Sequence, residues 1–467
     1  MRVDPGICGF STHIQAFRSG PRSVCIEIES ACDKIQELSS FLEELNLKSI
    51  LSPISKNPVF IEAEKSGCHS CCPIVISVIK AAEVALEIAL PKDVQIAFKE
   101  PQGDLNGPGC MANESINTID LFRRRKMAQM SLRERFWNRF TGKDVDMTPV
   151  GSTTTYGVVD FMKKCGHERP KADVDPVAMT ELALAGPKYA GFEWVKAMGW
   201  DITALSEAMG CELGTPAIDR QFYINSHPYA EGINGLDFPS DFLERGRFPV
   251  YKEHFRLLKE KVGDEMVIFG ETEGAFTCAA NLVGTEQFMK WCFKQPDNVQ
   301  KVLEVTKEAA IAAANFAFDN GADYYVFAEP TASPALLSPR FFKKFVLPIE
   351  QEIIKRVKGP VVLHICANTD PIIELMCETG CAGISIEEKA DMKKAVEIAH
   401  QKGVKVFGNV ATATTIFNGT PQEVYEESIR ALENGTDFLC PGCGIAPPSP
   451  LENVKQLRKA RDDYFKK

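Results

Sequence analysis

Apolar positions between residues 147 and 464 recur with two alternating periods. Short β-branched and aromatic runs at Met147–Val150, Met209–Leu213, Met266–Gly270, Tyr324–Ala328, Val361–Ile365, Ala382–Ile386, Val404–Gly408 and Thr436–Leu439 read as strands. Between most of them lie stretches of helical period: Val250–Val262, Pro296–Asp319, Pro339–Val357, Pro371–Glu378, Met392–Gln401, Pro421–Glu433 and Leu451–Tyr464. Proline opens several of these, a position where its missing N–H costs nothing. Strands alternating with helices predict an α/β fold with a parallel sheet. Eight such strands suit a closed (β/α)8 TIM barrel better than an open doubly wound sheet.

The first hundred residues carry a different pattern. Ser23–Ile28 reads as a strand, Ala31–Leu45 as a helix with Ile35, Leu38, Leu42 and Leu45 on one side, and Ile74–Leu90 as a second helix stopped by Pro91. Pro101–Gly109 is rich in turn residues and has almost nothing to bury. The expected organisation is a small Cys-rich α/β domain over 1–100, a linker over 101–120 and the barrel over 121–467. Phe122–Phe140 holds seven Lys and Arg against one acid and reads as a solvated basic helix leading into the barrel, or else as a docking face for an acidic partner.

Composition narrows the function classes. The chain has 467 residues and a net charge of -10, which argues against a nucleic-acid partner. No apolar run approaches the roughly 20 residues of a membrane span, and Met1–Gly6 has no secretory apolar region. A cytoplasmic location is expected. There the 16 cysteines, seven of them within the first 110 residues, read as core residues, metal ligands or redox groups rather than staples.

Barrel chemistry gathers at the C-terminal ends of the strands. The fifth strand ends in His364-Ile365-Cys366, the sixth in Glu387-Glu388, the seventh in Gly408-Asn409 and the eighth in Cys440-Pro441-Gly442-Cys443-Gly444. In His-x-Cys the two side chains share one side of a strand and can grip one ion. Cys443 is well placed as a third ligand. Thiolate and imidazole suit zinc, and three protein ligands leave a fourth position open for substrate. Glu388, or Glu387, could fill that position at rest. Cys440 with Cys443 could instead form a redox pair or half of a structural site. A metal-bound thiol is deprotonated at neutral pH, and the thiolate is the nucleophile, so this site predicts alkyl transfer to sulfur. Glu271, Glu273, Glu329, Asn368 and Thr369 also sit at strand ends, where they cap helices or face substrate. Phe276 and Tyr324 read as core aromatics.

These residues resemble the uroporphyrinogen decarboxylase superfamily over about residues 125–465. The branch most similar is that of the corrinoid-dependent methylcobalamin:coenzyme M methyltransferases. The carriers are Glu273–Thr277 with Asn281–Gly284, His364–Thr369, Gly408–Val410, Gly419–Pro421 and Pro441–Pro447. The resemblance implies a (β/α)8 barrel with zinc held by His364, Cys366 and Cys443 and a carboxylate placed at Glu388. It implies catalytic roles for Glu388 and Asn409. The implied activity moves a methyl group from a methylated corrinoid to a small thiol such as coenzyme M. No Asp-x-His-x-x-Gly corrinoid signature surrounds any of the seven histidines, so the cobalamin would come on a separate corrinoid protein or free. Transfer from a methylated substrate onto a corrinoid protein, and transfer onto tetrahydrofolate, are the alternatives, with a non-catalytic corrinoid-protein accessory less favoured. Two departures stand out. The family usually has Gly where Ala367 stands. The decarboxylases place arginines early in the barrel to hold substrate carboxylates, and here Pro149–Tyr156 has none, which disfavours decarboxylation. The first segment resembles a small domain found near such methyltransferases. Its Cys68-His69-Ser70-Cys71-Cys72-Pro73 suggests a metal or corrinoid-sensing site using Cys8, Cys32, Cys71 or Cys72, or a docking module with buried cysteines.

Overall fold

The computed structural model describes residues 2–3, 12–42, 44–53, 56–68, 72–88 and 129–466. The chain divides into two compact units, Met1–Met111 and Ala112–Lys467. The expected linker at 101–120, together with Cys8, Cys71 and residues 122–128, lies outside the described residues.

In the first unit β1 (Arg2–Val3), β2 (Thr12–Gly20), β3 (Ser23–Ser30) and β4 (Glu44–Asn46) form one antiparallel sheet in that order. β2 and β3 are a hairpin turning at Pro21-Arg22, in which Ile14, Val24 and Ile26 face a core shared with helices Asp33–Phe41 and Pro73–Ala85. The helix expected over Ala31–Leu45 ends at Phe41. Leu45 is buried by alternation in β4, paired with Val24, rather than by helical spacing. A leucine three or four residues after the last helical turn satisfies both periods, so the pattern alone misplaces the boundary.

The second unit is the barrel. Its parallel strands are β5 (Trp194–Lys196), β8 (Val267–Glu273), β9 (Tyr324–Ala328), β10 (Val361–Ile365), β11 (Gly383–Ile386), β12 (Lys405–Val410) and β13 (Phe438–Pro441), adjacent in the order 5-8-9-10-11-12-13. β6 (Leu213–Gly214) and β7 (Tyr223–Ile224) make a separate short hairpin. The first strand expected from the sequence, Met147–Val150, is reduced to a parallel bridge between Val150 and Leu439. Its hydrogen bonds still close the ring: Leu439 N donates to Pro149 O at 3.0 Å, Gly151 N to Leu439 O at 3.1 Å, and Glu193 N to Val150 O at 2.9 Å.

The second expected strand was misplaced. Met209 caps the short helix Ala204–Ala208 and Leu213 belongs to the hairpin, while the second barrel strand is Trp194–Lys196. Glu193 and Lys196 break its apolar pattern, yet both are buried and ion-paired. The expected helix Pro339–Val357 runs as Pro339–Phe341, a π-helical turn Phe342–Val346 and Leu347–Arg356. Pro348 cannot donate to the carbonyl four residues back, and the wider turn stands where that bond is missing.

Only the later part of the expected basic helix falls within the described residues, and its apolar face is not solvated. Leu132–Phe140 buries Phe136 and Phe140 among Trp194, Phe269, Tyr324, Phe407 and Phe438, and Phe407 stacks on Phe438 at 4.1 Å. Trp194, Tyr324 and Phe438 are the first residues of their strands, so this aromatic plug closes the N-terminal mouth. Arg135, 2% exposed, pairs with Asp146 at 2.7 Å and Glu193 at 2.8 Å. With the lower barrel filled, the polar groups at the C-terminal rim remain free for chemistry.

Candidate metal centre

Three sulfur and nitrogen donors converge on that rim. His364, 2% exposed, is the fourth residue of β10 and pairs in register with Ser385 of β11. Ser385 Oγ lies 3.0 Å from His364 Nδ1, which turns Nε2 toward Cys366 Sγ at 3.3 Å. Cys366 Sγ in turn lies 3.5 Å from Cys443 Sγ. Ligand atoms of His364, Cys366 and Cys443 all fall within 4.8 Å of one another, a group that includes neither Glu387 nor Glu388.

Close packing holds the Cys443 loop in place. A Cβ on Gly442 would stand 3.0 Å from Glu387 Cα and 3.2 Å from Glu388 Oε2, and one on Gly444 only 2.8 Å from Thr155 Cγ2. Glycine on both sides lets the loop slip between β11 and the first-strand segment, with Cys443 directed to the other ligands. Ala367, directly after Cys366, is left-handed at φ 68°. That backbone is one glycine adopts without strain. Its amide donates to Glu387 Oε2 at 2.7 Å.

The thiols interact strongly. The Cys366 thiol and His364 beside it hold the Cys443 sulfur well below the usual thiol range despite burial. Cys366 is pushed up, first by its bond to Cys443 and then by burial. Burial alone would lower His364, but the Cys443 sulfur holds it above the usual imidazole value. Two cysteines and a histidine match the donor chemistry of zinc.

The other expected residues take separate places. Glu388 is half-buried beside Gly442, and burial raises its carboxyl. Asn409 Nδ2 donates to the carbonyls of Glu387 at 3.2 Å and Ala390 at 3.4 Å, so it braces the loop carrying both glutamates. Cys440 is fully buried in the aromatic core, away from the redox pair considered for it with Cys443. Glu273 accepts from the amides of Leu205 and Ser206, Glu329 from those of Phe276 and Thr277, and burial raises each carboxyl to about 7. Asn368 accepts from the Asp370 amide, Thr369 is buried, and Phe276 and Tyr324 lie in the core. In the first unit Cys25 is exposed, Cys32 and Cys68 are half-buried and Cys72 is buried.

Two residues near the centre escaped the sequence reading. Ser385 orients the histidine, and its signal was positional: it stands opposite His364 in the neighbouring strand. Lys196 pairs with Glu271 at 3.0 Å inside the barrel, hidden because its strand was placed elsewhere. The stretch Ser152–Thr155 holds buried hydroxyls, with Thr153 bonded to Tyr324 and Thr155 to Trp200 O.

Residues 131–464 match a family model described as uroporphyrinogen decarboxylase (URO-D), and residues 1–98 match a family of unknown function, DUF6951. The chain is 38% identical to methylcobamide:CoM methyltransferase MtaA of Methanosarcina barkeri over 73% of its length and 100% of that protein. It is 30% identical to methylcobamide:CoM methyltransferase MtbA of Methanosarcina acetivorans over 72% of the chain and 99% of that protein. A solved methyltransferase from Methanosarcina mazei superposes with a TM-score of 0.70 at 39% identity, covering 72% of this chain and 99% of its own.

Proposed function

Because the chain belongs to the uroporphyrinogen decarboxylase family, and its rim bears two cysteines and a histidine rather than arginines, we propose that it is a zinc-dependent methyltransferase moving a methyl group from a corrinoid protein to coenzyme M or a similar small thiol. The observation that carries this reading is the convergence of His364, Cys366 and Cys443 within 4.8 Å at the barrel rim. The relatives named methylcobamide:CoM methyltransferase supply the substrate class.

Zinc held by these three residues would bind the acceptor sulfur as thiolate and remove its proton before transfer. The thiolate sulfur then attacks the methyl carbon in line. With a methylated corrinoid as the substrate, the carbon–sulfur bond would form as the cobalt–carbon bond breaks, the electron pair leaving with the corrinoid. No general base is needed at that step.

The chain's own residues prepare it. Ser385 fixes the His364 ring. Glu388, half-buried beside the Cys443 loop, is the carboxylate that would be available to a metal held there before a thiol binds. It suits that role better than Glu387, which is already engaged by the Ala367 amide. Asn409 is a positioning residue that acts through the 387–390 loop. Among the described residues no helix is long and apolar enough to cross a membrane, and we place the reaction in the cytoplasm, where thiols stay reduced.

The test is transfer from methylcobalamin to coenzyme M, with metal analysis of the same sample. About one zinc per chain and methyl-coenzyme M formation are expected. A metal-free protein with full activity, or a metal-loaded protein that methylates no thiol, would overturn the reading.

A further inference from the structure

Cations are almost absent from the barrel rim. The segments that lead from the eight strand positions to the next α-helix are 151–158, 197–203, Gly274, 329–338, 366–372, 387–391, 411–420 and 442–450, and Lys389 is the only Lys, Arg or His in them. The longer excursion over 209–247 carries three arginines, each engaged in place. Arg245 pairs with Asp241 at 2.8 Å, Arg247 with Asp201 at 2.6 Å, and Arg220 holds its own hairpin through Thr215 O at 3.1 Å and the Tyr223 ring. Lys196, inside the barrel, is fully buried and paired with Glu271.

Lys389 differs from all of these. Its side chain is 62% exposed, and its ammonium folds back toward the metal centre. Nζ lies 3.8 Å from Glu387 Oε2, and that oxygen accepts from the amide of Ala367, one residue beyond Cys366, at 2.7 Å. At 3.8 Å the ammonium is too far from Glu387 for a hydrogen bond. Asp370 and Asp391, on the same two loops, are already used: Asp370 accepts from the Asp391 amide at 2.9 Å, and Asp391 caps the helix Met392–Gln401 through the Lys394 amide at 3.1 Å. The loop is thus held by its neighbours, while the lysine donors face solvent beside the site.

A thiol that carries a negative group must pass Glu387 and Glu388 on a chain of net charge -10, and one cation stands there to receive it. In coenzyme M two methylene groups join the thiol to a sulfonate. With the sulfur at the centre, the sulfonate lies a few bonds away, within the reach of a lysine side chain. Ammonium to sulfonate is a charge-assisted hydrogen bond, among the stronger polar contacts.

We propose that Lys389 receives the anionic end of the acceptor thiol and sets a preference for short thiols with a negative group over neutral ones. This deepens the corrinoid-to-thiol reading above and rests on it.

Three thiols of the same two-carbon length test the assignment: coenzyme M, 2-mercaptoethanol with a hydroxyl at the far end, and cysteamine with an ammonium. Each is offered to the zinc-loaded chain with methylcobalamin as donor, and coenzyme M binding is also followed by calorimetry without donor. K389A should raise both Kd and KM for coenzyme M about tenfold relative to 2-mercaptoethanol, the worth of one charge-assisted hydrogen bond. K389R should keep most of the affinity, and K389E should lower KM for cysteamine. Zinc content and Tm should match those of the unaltered chain, since the side chain is exposed and outside the ligand set. An unchanged Kd and KM for coenzyme M in K389A would overturn the proposal. So would an equal rise for 2-mercaptoethanol, or loss of zinc, either of which would assign Lys389 to the shape of the loop. An unaltered chain that methylates 2-mercaptoethanol as readily as coenzyme M would overturn it too and leave the thiol reading standing. If the unaltered chain methylates none of the three thiols, the functional reading itself fails and the assignment of Lys389 falls with it.

Discussion

The two halves of the barrel rim hold polar groups of opposite character. On the side of β5 and β8 the buried Lys196 is ion-paired with the buried Glu271, and the same pattern recurs at the N-terminal mouth, where Glu193 sits between Arg135 and Arg461. On the side of β10 and β13 the polar groups are soft donors, the two sulfurs half-buried, in contact with one another and with no ion-pair partner of their own. A buried charge with its partner in place is architecture, since it gains nothing from a ligand and loses much if either member goes. Two sulfurs and an imidazole pressed together are the donor set of a soft cation. The difference separates a site from its supporting frame, although both are clusters of buried titratable groups.

The sharpest way to break the contrast is to remove a sulfur. Cys443→Ala should abolish both metal retention and methyl transfer, reducing activity by at least about a thousandfold if binding of the thiol as thiolate supplies roughly 4 kcal/mol. Cys440→Ala, three residues away but inside the aromatic core, should keep its metal. Metal analysis and the methyl-transfer assay on both variants read the outcome. Equal metal loss in the two would mean that the loop as a whole, not the sulfur, is what matters.

On the paired side the loss should appear as stability instead. Lys196→Met leaves the Glu271 carboxylate buried without its partner and should cost about 3–5 kcal/mol, measured by chemical denaturation. Burial already raises the Glu271 carboxyl in spite of Lys196, so Lys196→Met/Glu271→Gln should recover most of the loss. If the double variant stays as unstable as the single one, the pair does more than neutralise itself.

A smaller effect links the two sides. Ser385→Ala removes the contact to His364 Nδ1 and leaves the donors in place. Metal affinity should fall about 10–100-fold, with the fold's stability nearly unchanged. Competition with a chelator measures it. An unchanged affinity would show that packing alone aims the imidazole.

How much of this was readable beforehand followed the same division. The strands from β9 onward are continuous apolar runs, and β9 and β10 begin and end at the expected residues. Their rim residues could therefore be placed together, and His364, Cys366 and Cys443 do converge. The earlier strands could not be read in this way. Val150 contributes a single bridge, and β5 carries Lys196 and is flanked by Glu193, charges that read as surface until their partners are seen. Those partners, Arg135, Glu271 and Arg461, are distant in sequence, and no local pattern records such a match. Ser385 escaped for a related reason: a serine inside an apolar run gains its meaning from the residue opposite.

The finest test uses backbone alone. Each half has one non-glycine residue in the left-handed region among the described residues of the barrel: Met198 at φ 64° and Ala367 at φ 68°. That conformation costs an L-residue about 1–2 kcal/mol. Ala367 has only a methyl to lose, and its bond to Glu387 comes from the main chain. Ala367→Gly should therefore stabilise the protein by about 1 kcal/mol or less, after the added freedom of glycine in the unfolded chain, with the metal retained. Met198 is fully buried in the core. Met198→Gly should lose more in packing than it recovers in strain, for a net cost of about 2–4 kcal/mol. Thermal unfolding of the two variants gives both signs. A destabilised Ala367→Gly would mean that its methyl packs against the metal centre, and that the open half of the rim is more tightly fitted than its exposure suggests.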